Sequence, residues 1–167
     1  MIMTEVAPDK CVTMVNEDLR TAPIHTLSRD LQVHWYAPGD EKEWLTIHER
    51  ADVHNEITPQ LFSDQFADST LDLSGRQCYL LDRTGSAIAT GTAWAGSHGK
   101  FTGFGRPHWL AVLPQFQQCG VGTMLMGIIC QRLLELGHTG AFLTTSTSRP
   151  GAIRLYERFG FSIESVE

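Results

Sequence analysis

The chain has 167 residues, 42% of them apolar and 19% charged, with a formal net charge of −6. That length suits one domain with a real core, and the acidic balance excludes a general nucleic-acid binder, whose affinity rests on lysine and arginine against phosphate. It weakly favours a cationic or amine partner.

No run approaches the roughly 18 apolar residues of a membrane span, and no basic region followed by an apolar block opens the chain. Cys11, Cys78, Cys119 and Cys130 are scattered without a CxxC pair. The expectation is a cytoplasmic protein with no membrane partner, no disulfide framework and no metal site.

Residues 1–30 are mixed and polar, with Pro8 and Pro23, and read as an arm packed on a domain formed by residues 31–167. Cys11 to Val15 is a candidate short strand within that arm. Leu31 to Tyr36 alternates as a strand does. Pro38-Gly39-Asp40 turns the chain, and Asp40 is expected to cap a helix reaching about Ala51, with Trp44, Ile47 and Ala51 on its apolar face. Thr58 and Pro59 suit the cap and first position of a second helix that buries Leu61, Phe62 and Phe66.

Gln77 to Leu81 and Ala87 to Ala95 read as strands joined by the hairpin Asp82 to Ser86. Gly96 to Gly105, with four glycines, is expected to be a mobile loop before a strand from Pro107 to Val112. A helix follows from Gly120 to Leu136, with Val121, Leu125, Ile128, Ile129, Leu133 and Leu136 toward the core and Gly137 as terminator. Ala141 to Thr144 is a strand reached by a helical crossover, so the two strands should be parallel. A last helix runs from Pro150 to Phe159, ended by Gly160, and Phe161 to Ile163 begins a short strand. The class is α/β, with helices over a mixed sheet.

The segment with most chemical content is Gln117-Gln118-Cys119-Gly120-Val121-Gly122, where a glycine-rich turn opens a helix. Free amides of a first helical turn and the positive end of the helix dipole make such a turn a natural anion site. It is not a P-loop, because Thr123 and Met124 follow Gly122 where lysine is needed. It is not a dinucleotide fingerprint, because Leu125 stands where the third glycine belongs.

Gln117-x-x-Gly120-x-Gly122 resembles the pyrophosphate loop, Q/R-x-x-G-x-G/A, of the GNAT acetyltransferase superfamily. Leu110-Ala111-Val112-Leu113-Pro114 resembles its core strand, and Ala152-Ile153-x-x-Tyr156-x-x-x-Gly160-Phe161 its second motif. The resemblance is strong over residues 107–163, and the order of elements agrees from Leu31 onward.

The resemblance implies a central mixed, mostly antiparallel sheet with a splayed parallel strand pair, flanked by helices. It implies acetyl-CoA, or another acyl-CoA, as donor, and direct transfer in a ternary complex to a primary amine on a small molecule or a polypeptide. The donor contacts it implies are Leu110, Ala111 and Val112 on the strand, Gln117, Gln118, Cys119, Gly120, Val121, Gly122 and Thr123 in the loop, and Arg149, where many members carry Asn. Tyr156 takes the family's tyrosine position, a general acid for the departing thiolate, although spacing alone reads it as a core tyrosine beside Ala152, Ile153 and Phe159.

His108 is similar in place to a histidine of the arylalkylamine branch. It is either the base, giving kcat/KM an ionisation of its own, or a packing residue. Glu56 is either an amine-binding carboxylate or a solvated loop residue, and His34, His48, His54 and His138 read as surface or packing residues. The chain ends soon after Phe161, where the fold often has one more strand. Either that strand is missing, or the arm or a partner subunit in a homodimer covers the edge. The rival functions are a non-catalytic acyl-CoA-binding module and an O-acyltransferase.

Overall fold

The structure, a computed structural model, describes residues 8–67, 70–96 and 99–167. Its strands are β1 Cys11–Asn16, β2 Gln32–Trp35, β3 Gln77–Leu81, β4 Ala87–Ala95, β5 Gly105–Val112, β6 Ala141–Ser146 and β7 Ser162–Val166. Its α-helices are α1 Glu41–Ala51, α2 Pro59–Gln65, α3 Val121–Glu135 and α4 Pro150–Arg158. The strands form one sheet in the order β2-β3-β4-β5-β6-β1-β7. All neighbours are antiparallel except β5 and β6. This is the expected mixed, mostly antiparallel sheet with a parallel pair.

Alternation along β4 decides which helices lie on which face. Trp94 turns toward the first two helices, its ring 5.5 Å from that of Phe66. Gly91, of opposite parity, lies under α3, where an added Cβ would stand 3.1 Å from Leu110 Cγ and 3.3 Å from Leu125 Cδ1. Close approach of sheet and helix therefore requires glycine there. α3 buries Val121, Leu125, Met126, Ile129, Cys130 and Leu133 on that face, whereas Ile128 and Leu136 are only partly covered.

Thr58 caps α2 as expected, accepting from the Leu61 N–H at 3.1 Å. Asp40 holds the N-cap position of α1 as expected, but its side chain does not bond the first turn. Its carboxylate accepts instead from the Ala37 N–H at 2.7 Å and meets His34 Nε2 at 2.8 Å, closing the turn that enters the helix. The Gly96 to Gly105 segment also differs from expectation. β5 starts at Gly105, Gly99–Phe101 forms a 3-10 turn, and Phe101 stacks on Phe142 with centroids 4.4 Å apart. Its described part is packed on the sheet rather than free, and Ser97 and His98 lie outside the described residues.

The N-terminal segment is not an appendage. β1 fills the slot between β6 and β7, pairing with β6 from Cys11↔Ser146 to Asn16↔Ala141 and with β7 from Val12↔Val166 to Val15↔Ser162. A boundary at residue 30 would cut through the sheet. Of the three readings of the uncovered edge, the arm is the one observed. Val12 and Met14 are buried there, and Leu19 follows them into the core. The chain then crosses α3, with His25 over Gly127 and the Ser28 N–H donating to Met124 Sδ at 3.3 Å, to begin β2 at the opposite edge.

Asn16 locks the inserted strand. Its amide donates to the Phe159 carbonyl at 2.9 Å and to Thr21 Oγ1 at 3.4 Å, and its carbonyl accepts from the Asp18 N–H at 2.8 Å. Gly160 makes room for it: φ is +82°, and an added Cβ would sit 2.9 Å from Asn16 Nδ2. Asn16→Ala strands a buried carbonyl and should cost about 1–3 kcal/mol. Urea unfolding should show a lower midpoint with the same m-value, and an unchanged midpoint would remove Asn16 from this role.

Candidate active site

The parallel pair β5 and β6 is in register at one position only, Gly105↔Ala141. Beyond it the two strands part, and the reason lies in β5 itself. Its register with β4 passes from Thr92↔His108 to Thr90↔Ala111, so Trp109 and Leu110 together oppose Gly91. This is a β-bulge, which bends a strand and interrupts its ladder. Trp109 has φ +49°, a left-handed conformation unusual for a bulky side chain. Its ring is fixed by an Nε1–H bond to Gln65 Oε1 at 2.8 Å and by edge contacts with Trp44 at 5.4 Å and His48 at 5.3 Å.

The parted strands open a cleft of about 920 Å³ running from Arg106 and His108 past Leu110, Ala111 and Val112 to the start of α3. At that end Gln118 has φ +59° and Gly120 φ +83°, and α3 begins without a side-chain cap. Among the described residues, nothing accepts from the amides of Gln118 to Thr123. These six N–H groups lie at the positive end of the α3 dipole, and Gln118, Gly120, Gly122 and Thr123 among them line the cleft. An added Cβ at Gly122 would find only Leu155 and Val112 carbons, at 3.8 and 3.9 Å, so the space above it belongs to the cleft.

The other predicted loop residues divide. Gln118, Gly120 and Thr123 line the cleft. Gln117 also lines it, but its side-chain amide donates to the Val112 carbonyl at 2.9 Å and so ties the loop to the strand. Val121 turns its side chain into the core, and the exposed Cys119 thiol donates to the Gln117 carbonyl at 3.3 Å; neither lines the cleft. Arg158, which sequence reading did not single out, lines the cleft and reaches Thr123 Oγ1 at 3.4 Å. Its spacing of three from Leu155, another cleft residue, was the available signal.

Arg149 lines the cleft and pairs with Asp52 at 3.2 Å, joining the end of α1 to the start of α4. Burial pushes the Asp52 carboxyl up, but hydrogen bonds from Asn55 and His54 and the charge of Arg149 outweigh it and hold it below the usual carboxylate range. Glu56 is exposed and outside the cleft, whose rim is formed there by Asp52, His54 and Asn55.

Tyr156 is partly buried against the core and also lines the cleft. Its hydroxyl has no hydrogen-bond partner among the described residues. Burial pushes its pKa up, and the charge of Arg149 draws it partly back.

His108 is buried beside Phe66, with centroids 5.8 Å apart. Burial first, then the positive charges of Arg106 and His48, push its pKa down to about 3. His48, taken from sequence as surface or packing, also faces the cleft. It is fully buried, and neither ring nitrogen has a hydrogen-bond partner; the Trp109 backbone faces it without reaching bonding geometry. Burial lowers its pKa to about 4 against the opposing pull of Asp52. Its place four residues after Trp44, on the buried face of α1, was legible.

Among the described residues, no group of three or more His, Cys, Asp or Glu is placed to hold a metal, and no helix is long and apolar enough to cross a membrane.

The profile of the Acetyltransferase (GNAT) family matches residues 39–161. The chain is 27% identical over 146 residues to the mycothiol acetyltransferase of Streptomyces griseus, covering 84% of this chain and 46% of that protein. Against the mycothiol acetyltransferase of Mycobacteroides abscessus it is 28% identical over 134 residues, covering 78% of this chain and 45% of that protein. It spans about half the length of the curated relatives it matches.

Among solved structures, a GCN5-related N-acetyltransferase from Sphaerobacter thermophilus superposes with a TM-score of 0.76 at 17% identity, covering 95% of this chain and 49% of that one. A GNAT-family acetyltransferase from Colwellia psychrerythraea gives 0.69 at 11%, covering 95% and 55%. At such identities the likeness is one of fold.

The two buried histidines make acid stability a direct test of this geometry. Above the unfolded pKa of about 6.5 neither state binds their protons. Below it the unfolded chain takes protons that the folded chain refuses down to about pH 4 for His48 and 3 for His108. Stability should therefore fall with pH by roughly 1.4 kcal/mol per unit for each histidine. Urea midpoints measured from pH 7 to 5 should fall less steeply in His48→Gln, and least in the double variant with His108→Gln. Parallel slopes in all three proteins would place these rings in solvent.

Proposed function

The chain belongs to the acetyltransferase (GNAT) family, and on that premise we propose that it transfers an acetyl group from acetyl-CoA to a primary amine by direct attack in a ternary complex. One observation carries the reading: a strand pair that parts beyond Gly105↔Ala141 leads to six free amides at the start of α3. The free amides suit a pyrophosphate, with Arg158 as an added cation, and the gap between β5 and β6 suits an extended thioester arm beside Leu110, Ala111 and Val112. The mycothiol acetyltransferase relatives favour a small molecule over a polypeptide as acceptor.

In the proposed step, the neutral amine attacks the thioester carbonyl. An N–C bond forms, the oxyanion collapses, the C–S bond breaks, and the thiolate takes a proton from the Tyr156 hydroxyl. The raised pKa of that hydroxyl keeps it protonated until the thiolate forms. The amine's surplus proton leaves to water in the cleft, while the buried His108 ring stays neutral across the working pH range and lines the cleft beside the amine. With its pKa pushed down to about 3, the ring would give kcat/KM no ionisation of its own near neutral pH. The rise of kcat/KM with pH therefore belongs to the amine rather than to the imidazole.

Donor binding comes first among the tests. Titration calorimetry should show acetyl-CoA binding to the wild-type protein and none to Gly122→Glu, whose carboxylate would occupy the anion's place. The variant's own melting temperature should change little, because the added side chain points into open cleft. Absence of binding to the wild-type protein would end the reading.

Turnover is tested with a panel of primary amines and alcohols and acetyl-CoA, reading free thiol. Amines should react. Reaction of alcohols alone would move the assignment to O-acyl transfer, and donor binding without any turnover would move it to an acyl-CoA-binding module. With an active amine, Tyr156→Phe should lower kcat by about 10²–10⁴-fold with little change in donor affinity. Equal turnover would leave Tyr156 as a packing residue.

A further inference from the structure

Arg106 lies inside the cleft with no counter-ion among the described residues. It sits near the start of β5, opposite Trp94 of β4, and its side chain turns into the space between β5 and β6. Among the described residues, its partners are an Nη2–H bond to Thr144 Oγ1 at 3.1 Å and the face of the Phe142 ring at 5.4 Å. Its Nε is buried with no acceptor, alone among arginine nitrogens of the described residues. No ion pair of the described residues includes it. The one acidic group it feels is the Cys11 thiol rather than a carboxylate, and burial pulls its pKa down. The only carboxylate among the described residues that line the cleft, Asp52, is already paired with Arg149. A guanidinium so placed lacks the bidentate anion that its fork of donors is built to hold.

That anion is not a phosphate of the donor. Arg106 precedes Val112 by six residues, on the order of 20 Å along the strand from the end that leads into the phosphate loop. It stands instead beyond the bulge, on the side of His108, where the acceptor would lie.

We propose that Arg106 binds a carboxylate of the acyl acceptor, so that the acceptor is an amino acid or another amine carrying a free carboxylate. This rests on the amine acetylation proposed above and narrows its substrate class. The Arg106 fork fixes the carboxylate end, and the amine is thereby presented to the thioester beside His108.

The test compares matched pairs as acceptors with acetyl-CoA: alanine with ethylamine, phenylalanine with phenethylamine, and γ-aminobutyrate with propylamine, each expressed per neutral amine. At least one amino acid should exceed its decarboxylated partner in kcat/KM by about 10²-fold, the scale of a lost charge-assisted pair in an enclosed site. In Arg106→Met that ratio should collapse toward one, and Arg106→Lys should restore part of it. A ratio near one in the wild-type protein, or a ratio untouched by Arg106→Met, would overturn the proposal. So would an Arg106-dependent preference for succinyl-CoA over acetyl-CoA, which would assign the carboxylate to the acyl group.

A second arm does not depend on turnover. The same amino acids titrated into the CoA-loaded protein should bind, and should lose binding in Arg106→Met while CoA affinity stays. If amines react but amino acids neither bind nor react better, this proposal fails and amine acetylation stands. If nothing is acetylated, the underlying reading fails, and the titration alone decides whether Arg106 holds a carboxylate.

Discussion

The constraint on which the rest depends is a single extra residue in β5. Two residues, Trp109 and Leu110, face Gly91 across the ladder, and a strand bulged in this way cannot run straight beside its other neighbour. Parallel pairing with β6 therefore stops after Gly105↔Ala141. Everything at the site inherits that break. The cleft exists because the strands part, and strand atoms face it without a ladder partner on that side. The Trp109 backbone, costly at φ +49°, is held by its ring's bond to Gln65 and its packing on Trp44 and His48. The aromatic cluster under α1 and α2 thus supports a backbone conformation as well as filling the core.

Charge at the site runs against charge on the whole molecule. The formal net charge of −6 points to a cationic partner, yet the described lining of the cleft carries three guanidinium groups, Arg106, Arg149 and Arg158, against the one carboxylate of Asp52. Field lines from distant surface carboxylates are screened over about 8–10 Å at ordinary ionic strength, whereas these groups line the cleft itself. A net charge therefore says little about a site whose donor is an anion. The same burial that leaves Arg106 without a counter-ion keeps His48 and His108 neutral, because a second or third positive charge in that space has nothing to offset it.

Elements set by local pattern were legible in the sequence. β4, α3 and the Asp82 to Ser86 hairpin follow from periodicity and turn chemistry, and Thr58 caps α2 as its type and position indicate. The turn that opens α3 was legible as well, from Gly120 and Gly122 at a helix start. Less legible were facts that depend on what meets what. Val121 and Cys119 lie inside the loop motif, but helix phase turns one into the core and leaves the other outside the cleft. Glu56 lies outside the cleft, whereas Asp52, four residues earlier, lines it and pairs with Arg149. His48 was hidden among seven histidines until α1 was set against the bulge.

The largest such gap concerns β1, and it shows why order along a chain is a weak guide to order in a sheet. The connection from β6 through α4 to β7 leaves a space one strand wide, and a sheet tolerates such a space only if another strand fills it. Cys11–Asn16 fills it from the other end of the sequence, with both of its edges paired. Nothing local in those six residues marks them as central, for their pairing partners lie more than a hundred positions away. What identifies the strand as integral is its far end. Asn16 bonds to the Phe159 carbonyl where α4 stops, and Gly160 yields the space that the bond requires. The helix carrying Tyr156 and Arg158 therefore ends on a residue of the first strand. The position of the proposed acid depends on how the chain begins as much as on the motif that contains it.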